Sequence, residues 1–198
     1  MKFGKVALAL LLAAGISIGT ALLGERWVAL WSGRTAGIAG GAAELKSLPD
    51  FVLADAQGRE TASTAWAGKI LLLNYWATWC TPCTRQLTPL ADIRRSLGER
   101  GVAVVGIAVD RAADVQAFLA ARPLDYPILI ATPEAVELAR RLGNPVQGLP
   151  FTVLFDARGR RVFSQVGALD VEALRAQLAR LLGDLPDTAR PEAATAPP

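Results

Sequence analysis

The chain contains two cysteines, Cys80 and Cys83, and their spacing is its clearest chemical signal. Side chains three residues apart on a helix lie on the same face, at a distance that a disulfide bond can span. One thiolate of such a pair can attack a disulfide, and the other can resolve the mixed disulfide that results. The pair therefore predicts thiol–disulfide exchange, in which two electrons move without a metal or an organic cofactor.

A purely structural disulfide is the competing interpretation of Cys80 and Cys83. It would stabilise the fold poorly, because the loop it closes is tiny and the unfolded chain loses little entropy. The chain has no histidine, which excludes a Cys/His zinc site, a Cys-His nucleophile and a Ser-His-Asp triad. Two thiolates alone do not complete a four-ligand zinc site, so we expect no metal.

The expected secondary structure around the cysteines gives the two thiols different roles. An apolar run from Lys69 to Tyr75 predicts a buried strand, and Pro82 near a first turn predicts a helix from about 82 to 97. Cys80 then lies at the helix N-terminus, where unpaired N–H groups and the helix dipole favour a thiolate. We therefore expect Cys80 to be the nucleophile and Cys83 the resolving thiol.

Strands and helices alternate along the rest of the chain. This order indicates an α/β fold with a central mixed β-sheet flanked by helices. The other predicted elements are an opening hairpin around 51–58, strands at 102–109, 126–130, 151–155 and 161–166, and helices at 112–121, 133–142 and 171–182.

Composition and charge restrict the possible partners. The 198 residues are 52% apolar, which suits one ordinary domain with extensions. The 21 Lys and Arg residues are scattered among 18 Asp and Glu residues, so no basic stripe for nucleic acid emerges. We expect no nucleic-acid partner.

The N-terminus predicts export from the cytoplasm. Lys2 and Lys5 precede an uncharged, mostly apolar run over residues 6–23, which would span about 27 Å as a helix. Residues 1–24 are therefore expected to be a membrane anchor or signal peptide, and the poor cleavage site favours an uncleaved anchor. The catalytic domain would lie in the periplasm, held by a single inner-membrane span, or as a secreted periplasmic form after cleavage.

The remaining boundaries follow from local composition. Residues 25–45 are rich in Gly and Ala and are expected to form a flexible linker. Residues 46–183 are the expected folded domain. Residues 184–198, with several prolines and little apolar content, are expected to be a disordered tail.

The stretch at residues 74–83, NYWATWCTPC, resembles the signature of the thioredoxin superfamily in its TlpA/ResA branch, and the similarity covers about 46–183. Members of that branch are membrane-tethered, periplasm-facing thiol–disulfide oxidoreductases, several of them reductases in cytochrome c maturation. The resemblance implies a thioredoxin-like fold with an N-terminal β-hairpin extension and a central αβ insertion.

The resemblance also implies roles for residues outside the cysteine pair. Residues 148–156, GLPFTVLFD, resemble the family's stretch with a cis-proline opposite the two cysteines, which assigns the cis bond to Pro150. The backbone of Leu149 would then pair with a substrate strand. Trp79 would flank the exposed sulfur and help receive a partner, while Thr81 and Pro82 contribute only a hydroxyl and a rigid turn.

Two positions depart from the family pattern. Asn74 stands where thioredoxin carries a buried Asp, and Gln86 stands where many members of the branch carry a Glu. Neither amide can accept the proton that Cys83 must lose before it attacks. Asp110, at the end of the next strand, is the candidate substitute; alternatively it caps the helix that begins near Ala112.

We therefore expect a reductase of protein disulfides, because strong oxidants of the superfamily typically carry a histidine between the two cysteines. Its partners would be oxidised client proteins, for example apocytochrome c, and a membrane thiol electron donor, with the chain acting as a monomer. The alternatives are a protein disulfide oxidant and a non-catalytic module that docks partners through Trp79 and Pro150. A peroxidase needs Thr or Ser three residues before its cysteine, where this chain has Ala77 and Cys80.

Overall fold

The computed structural model describes residues 44–184. The predicted anchor at 1–24, nearly all of the linker at 25–45 and nearly all of the tail at 184–198 lie outside the described residues. Among the residues that are described, no helix is long and apolar enough to cross a membrane.

The domain begins with a small hairpin. Strands β1 (Val52–Ala54) and β2 (Glu60–Ala62) pair antiparallel. Gly58 has a φ of 81° in the turn between them, a conformation that glycine adopts without steric cost. A bridge from Asp55 to Leu129 attaches this hairpin to the edge of the main sheet.

The main sheet has five strands in the order β5-β4-β3-β6-β7. The central strand β3 (Ile70–Trp76) is buried along its whole length, as expected for a strand covered on both faces. It pairs in parallel with β4 (Val102–Ala108) and antiparallel with β6 (Phe151–Phe155). Strand β5 (Ile128–Ile130) extends the parallel side, and β7 (Arg161–Val166) extends the antiparallel side.

Four helices and the hairpin cover the two faces of this sheet. Helices α1 (Thr81–Leu97), α2 (Ala112–Ala121) and α4 (Val171–Gly183) supply the buried side chains on one face, which include Leu90, Val115 and Leu178. Helix α3 (Pro133–Arg141) and the hairpin cover the other face.

The α/β architecture agrees with the prediction from sequence. A mixed central sheet is flanked by helices, a hairpin precedes it, and α2, β5 and α3 lie between β4 and β6. The predicted helix starts are also present, because Thr132 accepts a hydrogen bond from the Ala135 amide and Asp170 accepts one from the Ala173 amide.

Gly106 lies in β4, between β3 and β5, and leaves room for a side chain from each of these two neighbouring strands. A Cβ at this position would lie 2.5 Å from Ile128 Cδ1 and 3.1 Å from Trp76 Nε1, and both side chains are buried. We predict that Gly106→Ala lowers the free energy of unfolding by about 1–3 kcal/mol, because both neighbours must shift. Urea denaturation measures this loss.

Gly183→Ala is the matched control, since a Cβ at the end of α4 would meet no atom within 4 Å. Its stability should equal that of the parent or slightly exceed it. Equal unfolding midpoints for the two alanine variants would contradict the close packing at Gly106.

Candidate active site

The two cysteines lie where β3 leads into α1 and form a disulfide with a Cα–Cα distance of 5.2 Å. Their accessibility differs, since Cys80 keeps 7% of its surface exposed while Cys83 is 0% exposed. An incoming disulfide can therefore reach the sulfur of Cys80 and not that of Cys83. This asymmetry supports the predicted roles of nucleophile and resolving thiol.

The start of α1 is arranged to stabilise a thiolate on Cys80. Cys80 is the N-cap residue, and its sulfur accepts a hydrogen bond from the Cys83 amide at 3.3 Å. The first turn of α1 contains no acidic residue, so the positive end of the helix dipole is not neutralised there. Pro82 in the same turn suits this position because it lacks an amide proton that would otherwise need a partner.

The turn before Cys80 is held by Asp110, which follows β4. One carboxylate oxygen of Asp110 accepts hydrogen bonds from the Thr78 amide at 3.0 Å and the Thr78 hydroxyl at 2.5 Å. The other oxygen accepts from the Arg111 amide at 2.9 Å. The alternative that Asp110 caps α2 is wrong, because the N-cap residue of α2 is Arg111. The start of this helix has no side-chain capping hydrogen bond.

The opposite wall of the site is the loop that leads into β6. The peptide bond between Leu149 and Pro150 is cis, as the resemblance implied. The Asn144 side chain fixes this loop, since its Nδ2 donates to the Gly148 carbonyl and its Oδ1 accepts from the Gly148 amide, both at 2.9 Å. Within residues 44–184, the backbone groups of Leu149 make no hydrogen bond and so remain available to a partner strand.

A cleft of about 570 Å³ separates these two walls. Every residue that lines it is uncharged, so a charged group entering the cleft would lose solvent without finding a counter-charge. Burial also raises the pKa of Tyr75, whose hydroxyl stays neutral at physiological pH. The lining consists of Tyr75, Trp79, Cys80, Thr81, Pro82, Val109, Val136, Ala139, Asn144, Gln147 and Leu149.

Exposed apolar side chains lie on the two walls of this cleft or beside them. Trp79 is 69% exposed beside Cys80, and Val146 is 76% exposed on the opposite loop. Val146 and the 38% exposed Val166 flank Gly148, because a Cβ there would lie 3.6 Å from Val146 and 2.8 Å from Val166. An apolar rim of this kind is typical of a protein-binding site.

Two buried amides occupy the α1 side of the sheet, where Cys83 also lies. Asn74 Nδ2 donates to Thr152 Oγ1 at 3.1 Å, while Asn74 Oδ1 has no partner among the described residues. Gln86 Oε1 accepts from the Leu169 amide at 3.4 Å, and Gln86 Nε2 likewise has none there. Neither group ionises, so neither can act as a base toward Cys83.

Most of the candidate site residues predicted from the sequence lie together around the cysteine pair, but some residues of this site were not predicted. Asn144, Gln147 and Val146 were not predicted from the sequence. The run Gly143-Asn144-Pro145 is a turn signal in the sequence that points to a loop fixed by an Asx side chain. Within the described residues, no group of three or more His, Cys, Asp or Glu side chains could hold a metal ion.

The neutral surroundings of Cys83 lead to a prediction for Gln86→Glu. Burial raises the pKa of a carboxyl, so the new group would accept the Cys83 proton only above that raised pKa. Resolution of the mixed disulfide should then accelerate roughly tenfold or more as the pH rises through this value. The pH–rate profile of single-turnover disulfide exchange measures the effect.

Gln57→Glu is the control, because Gln57 lies exposed in the hairpin turn. It should leave the profile unchanged. If the Gln86→Glu profile also matched that of the parent, deprotonation of Cys83 would not be limited by the missing acid.

Comparison with known proteins agrees with this geometry. Residues 45–179 match the model of the AhpC/TSA family. A protein from Geobacillus thermodenitrificans named thiol-disulfide oxidoreductase ResA is 32% identical over 131 residues, which cover 66% of this chain and 73% of the relative. A second relative of that name, from Bacillus thuringiensis subsp. konkukian, is 27% identical over 69% of this chain and 77% of its own length.

A solved structure shares the fold. The thiol:disulfide interchange protein of the thioredoxin family from Chlorobium tepidum TLS superposes with a TM-score of 0.64 and 26% identity. The match covers 72% of this chain and 100% of the other.

Proposed function

The chain belongs to the AhpC/TSA family and is a thiol–disulfide oxidoreductase, and from this premise we propose that it reduces disulfide bonds in exported client proteins. The relatives named thiol-disulfide oxidoreductase ResA confirm the resemblance to thioredoxin-like proteins of the ResA type. The observation that carries the proposal is the position of Cys80, which is the accessible sulfur of the pair and lies between the exposed Trp79 and Leu149, whose backbone has no partner among residues 44–184.

The reaction begins with both cysteines reduced. The Cys80 thiolate attacks one sulfur of the client disulfide, a bond forms between Cys80 and that sulfur, and the other client sulfur leaves as a thiolate. The Cys83 thiol then loses its proton and attacks the Cys80 sulfur, which releases the second client thiolate. The client gains two electrons, and the Cys80–Cys83 disulfide is formed.

The surface around Cys80 supports a protein as the substrate. The uncharged cleft and the apolar rim of Trp79, Val146 and Val166 suit an extended or unfolded segment better than a small charged disulfide. The amide and carbonyl of Leu149, which make no hydrogen bond within the described part of the chain, can pair with the backbone of such a segment next to its cysteine.

The direction of electron flow rests on the lack of a positively charged side chain between the two cysteines. A strong oxidant stabilises its reduced form, whereas here the side chains between the cysteines, Thr81 and Pro82, carry no positive charge. Among the described residues, the Cys80 sulfur accepts one hydrogen bond, from the Cys83 amide. This modest stabilisation favours a reductase over an oxidant.

The proposed setting follows from the sequence outside the described residues. The apolar run at 6–23 would hold the catalytic domain in the periplasm on a single inner-membrane span, or direct a secreted form there. A reductase in an oxidising compartment needs electrons, which a membrane thiol protein would supply. Apocytochrome c is the candidate client, and the chain would act as a monomer.

Peroxide reduction is not proposed for this member of the family. A peroxidatic cysteine needs Thr or Ser three residues earlier, and Ala77 holds that position relative to Cys80.

Trapping of the mixed disulfide tests the proposed function. Cys83→Ala in the full chain should accumulate clients bound to Cys80 in cells, because the resolving step is removed. Non-reducing electrophoresis should show adducts that disappear on reduction, and identification of a cytochrome c precursor among them would support the maturation role.

The control combines Cys80→Ser with Cys83→Ala, which should trap nothing. Cys80→Ser alone should abolish reduction of insulin disulfides by a protein that remains folded by circular dichroism. Retained cellular function in the folded Cys80→Ser variant would instead indicate a non-catalytic binding module.

A further inference from the structure

The residues between β3 and the nucleophile form a tight turn. The Cys80 amide donates to the Ala77 carbonyl at 3.2 Å, so Thr78 and Trp79 are the two central residues of this turn. Trp79 points outward and is the most exposed aromatic residue at the cleft, while Thr78 is half-buried. The orientation of Trp79 therefore depends on whatever holds Thr78.

Asp110 holds Thr78 from the neighbouring strand. The Val109 amide donates to the Trp76 carbonyl at 2.8 Å, which continues the contact between the chains of β3 and β4 beyond their ends. Asp110 is the next residue, and its carboxylate accepts hydrogen bonds from both the amide and the hydroxyl of Thr78. Hydrogen bonds to an ionised acceptor are about twice as strong as neutral ones.

The carboxylate of Asp110 is an acceptor at neutral pH. Partial burial alone would raise its pKa, but the hydrogen bonds from Thr78 and Arg111 outweigh burial and hold the pKa below its usual value. Both oxygens of Asp110 are engaged by donors of these two residues. Such a group is better suited to fix a turn than to receive a proton from Cys83.

Neither Thr78 nor Asp110 lines the cleft, but the residue next to each of them does. Trp79 follows Thr78, and Val109 precedes Asp110. The hydrogen bonds between Thr78 and Asp110 thus connect the two chain segments that carry the lining residues Trp79 and Val109. Neither Thr78 nor Asp110 would itself contact a client in the cleft.

We propose that Asp110 and Thr78 are positioning residues for protein clients, which act by holding Trp79 beside the Cys80 sulfur. The inference rests on the proposed function and assigns to Asp110 a task other than proton transfer. Loss of the hydrogen bonds between Thr78 and Asp110 lets the turn move, so Trp79 is no longer held in place at the client-binding site. The sulfur itself keeps its place at the start of α1, because the Cys83 amide still binds it.

Steady-state kinetics with two substrates tests this inference on the purified full chain. Asp110→Asn and Thr78→Val should each raise the KM for insulin about tenfold, with kcat within about twofold of the parent. The rate with a small disulfide, 5,5′-dithiobis(2-nitrobenzoate), should stay within about twofold, because this substrate does not need Trp79. Thr78→Ser keeps the hydroxyl and should restore the KM of the parent.

Asp114→Asn is the matched control, since Asp114 is a nearby carboxylate on α2 that pairs with the Arg111 side chain. It should behave as the parent does. If Asp110→Asn unfolds, the comparison of Thr78→Val with Thr78→Ser still decides, because only the serine variant keeps the hydroxyl that donates to Asp110.

An unchanged KM for insulin in the folded variants would overturn the inference. So would an equal fall of kcat on both substrates, which would indicate that Asp110 takes part in proton transfer. A parent protein that cannot reduce insulin would refute the proposed function itself, whereas an active parent with unaffected variants would refute only the role of Asp110 and Thr78.

Discussion

The pairing of β3 with a parallel strand on one side and an antiparallel strand on the other determines the site. Because β4 runs parallel to β3, Asp110 at the end of β4 comes to the turn that precedes Cys80. Because β6 runs antiparallel, its first residues lie at the same edge, and Leu149, which precedes the cis-proline Pro150, lines the cleft together with Cys80. One arrangement of three strands therefore supplies the nucleophile, the residue that holds its turn and the opposite wall.

The surroundings of Cys80 and Cys83 differ in polarity, and this difference matches the different roles of the two cysteines in the reaction. Cys80 opens toward an uncharged cleft with an apolar rim, where a client can approach. Cys83 is buried on the α1 side of the sheet, where Asn74 and Gln86 are amides that each have one atom without a partner among the described residues. Neither amide can act as a base toward the Cys83 thiol.

Much of this could be predicted from sequence because the signals are local. The apolar run of β3, the cap at Thr132 and the spacing of Cys80 and Cys83 each indicate an element or a reaction directly. The partner of Asp110 could not be predicted, because it depends on which residue of a distant turn reaches the end of β4. Asn144 was missed for the same reason, since its contacts matter only once the loop is folded beside the cleft.

The midpoint potential of the Cys80–Cys83 couple tests most directly whether this protein is a reductase. Equilibration of the purified chain with dithiothreitol buffers of defined ratio, followed by quantification of free thiols, gives the value. The lack of a positively charged side chain between the cysteines predicts a potential close to that of thioredoxin, about −270 mV. A potential near that of DsbA, about −120 mV, would show that the reduced form is strongly stabilised and would contradict the reductase assignment.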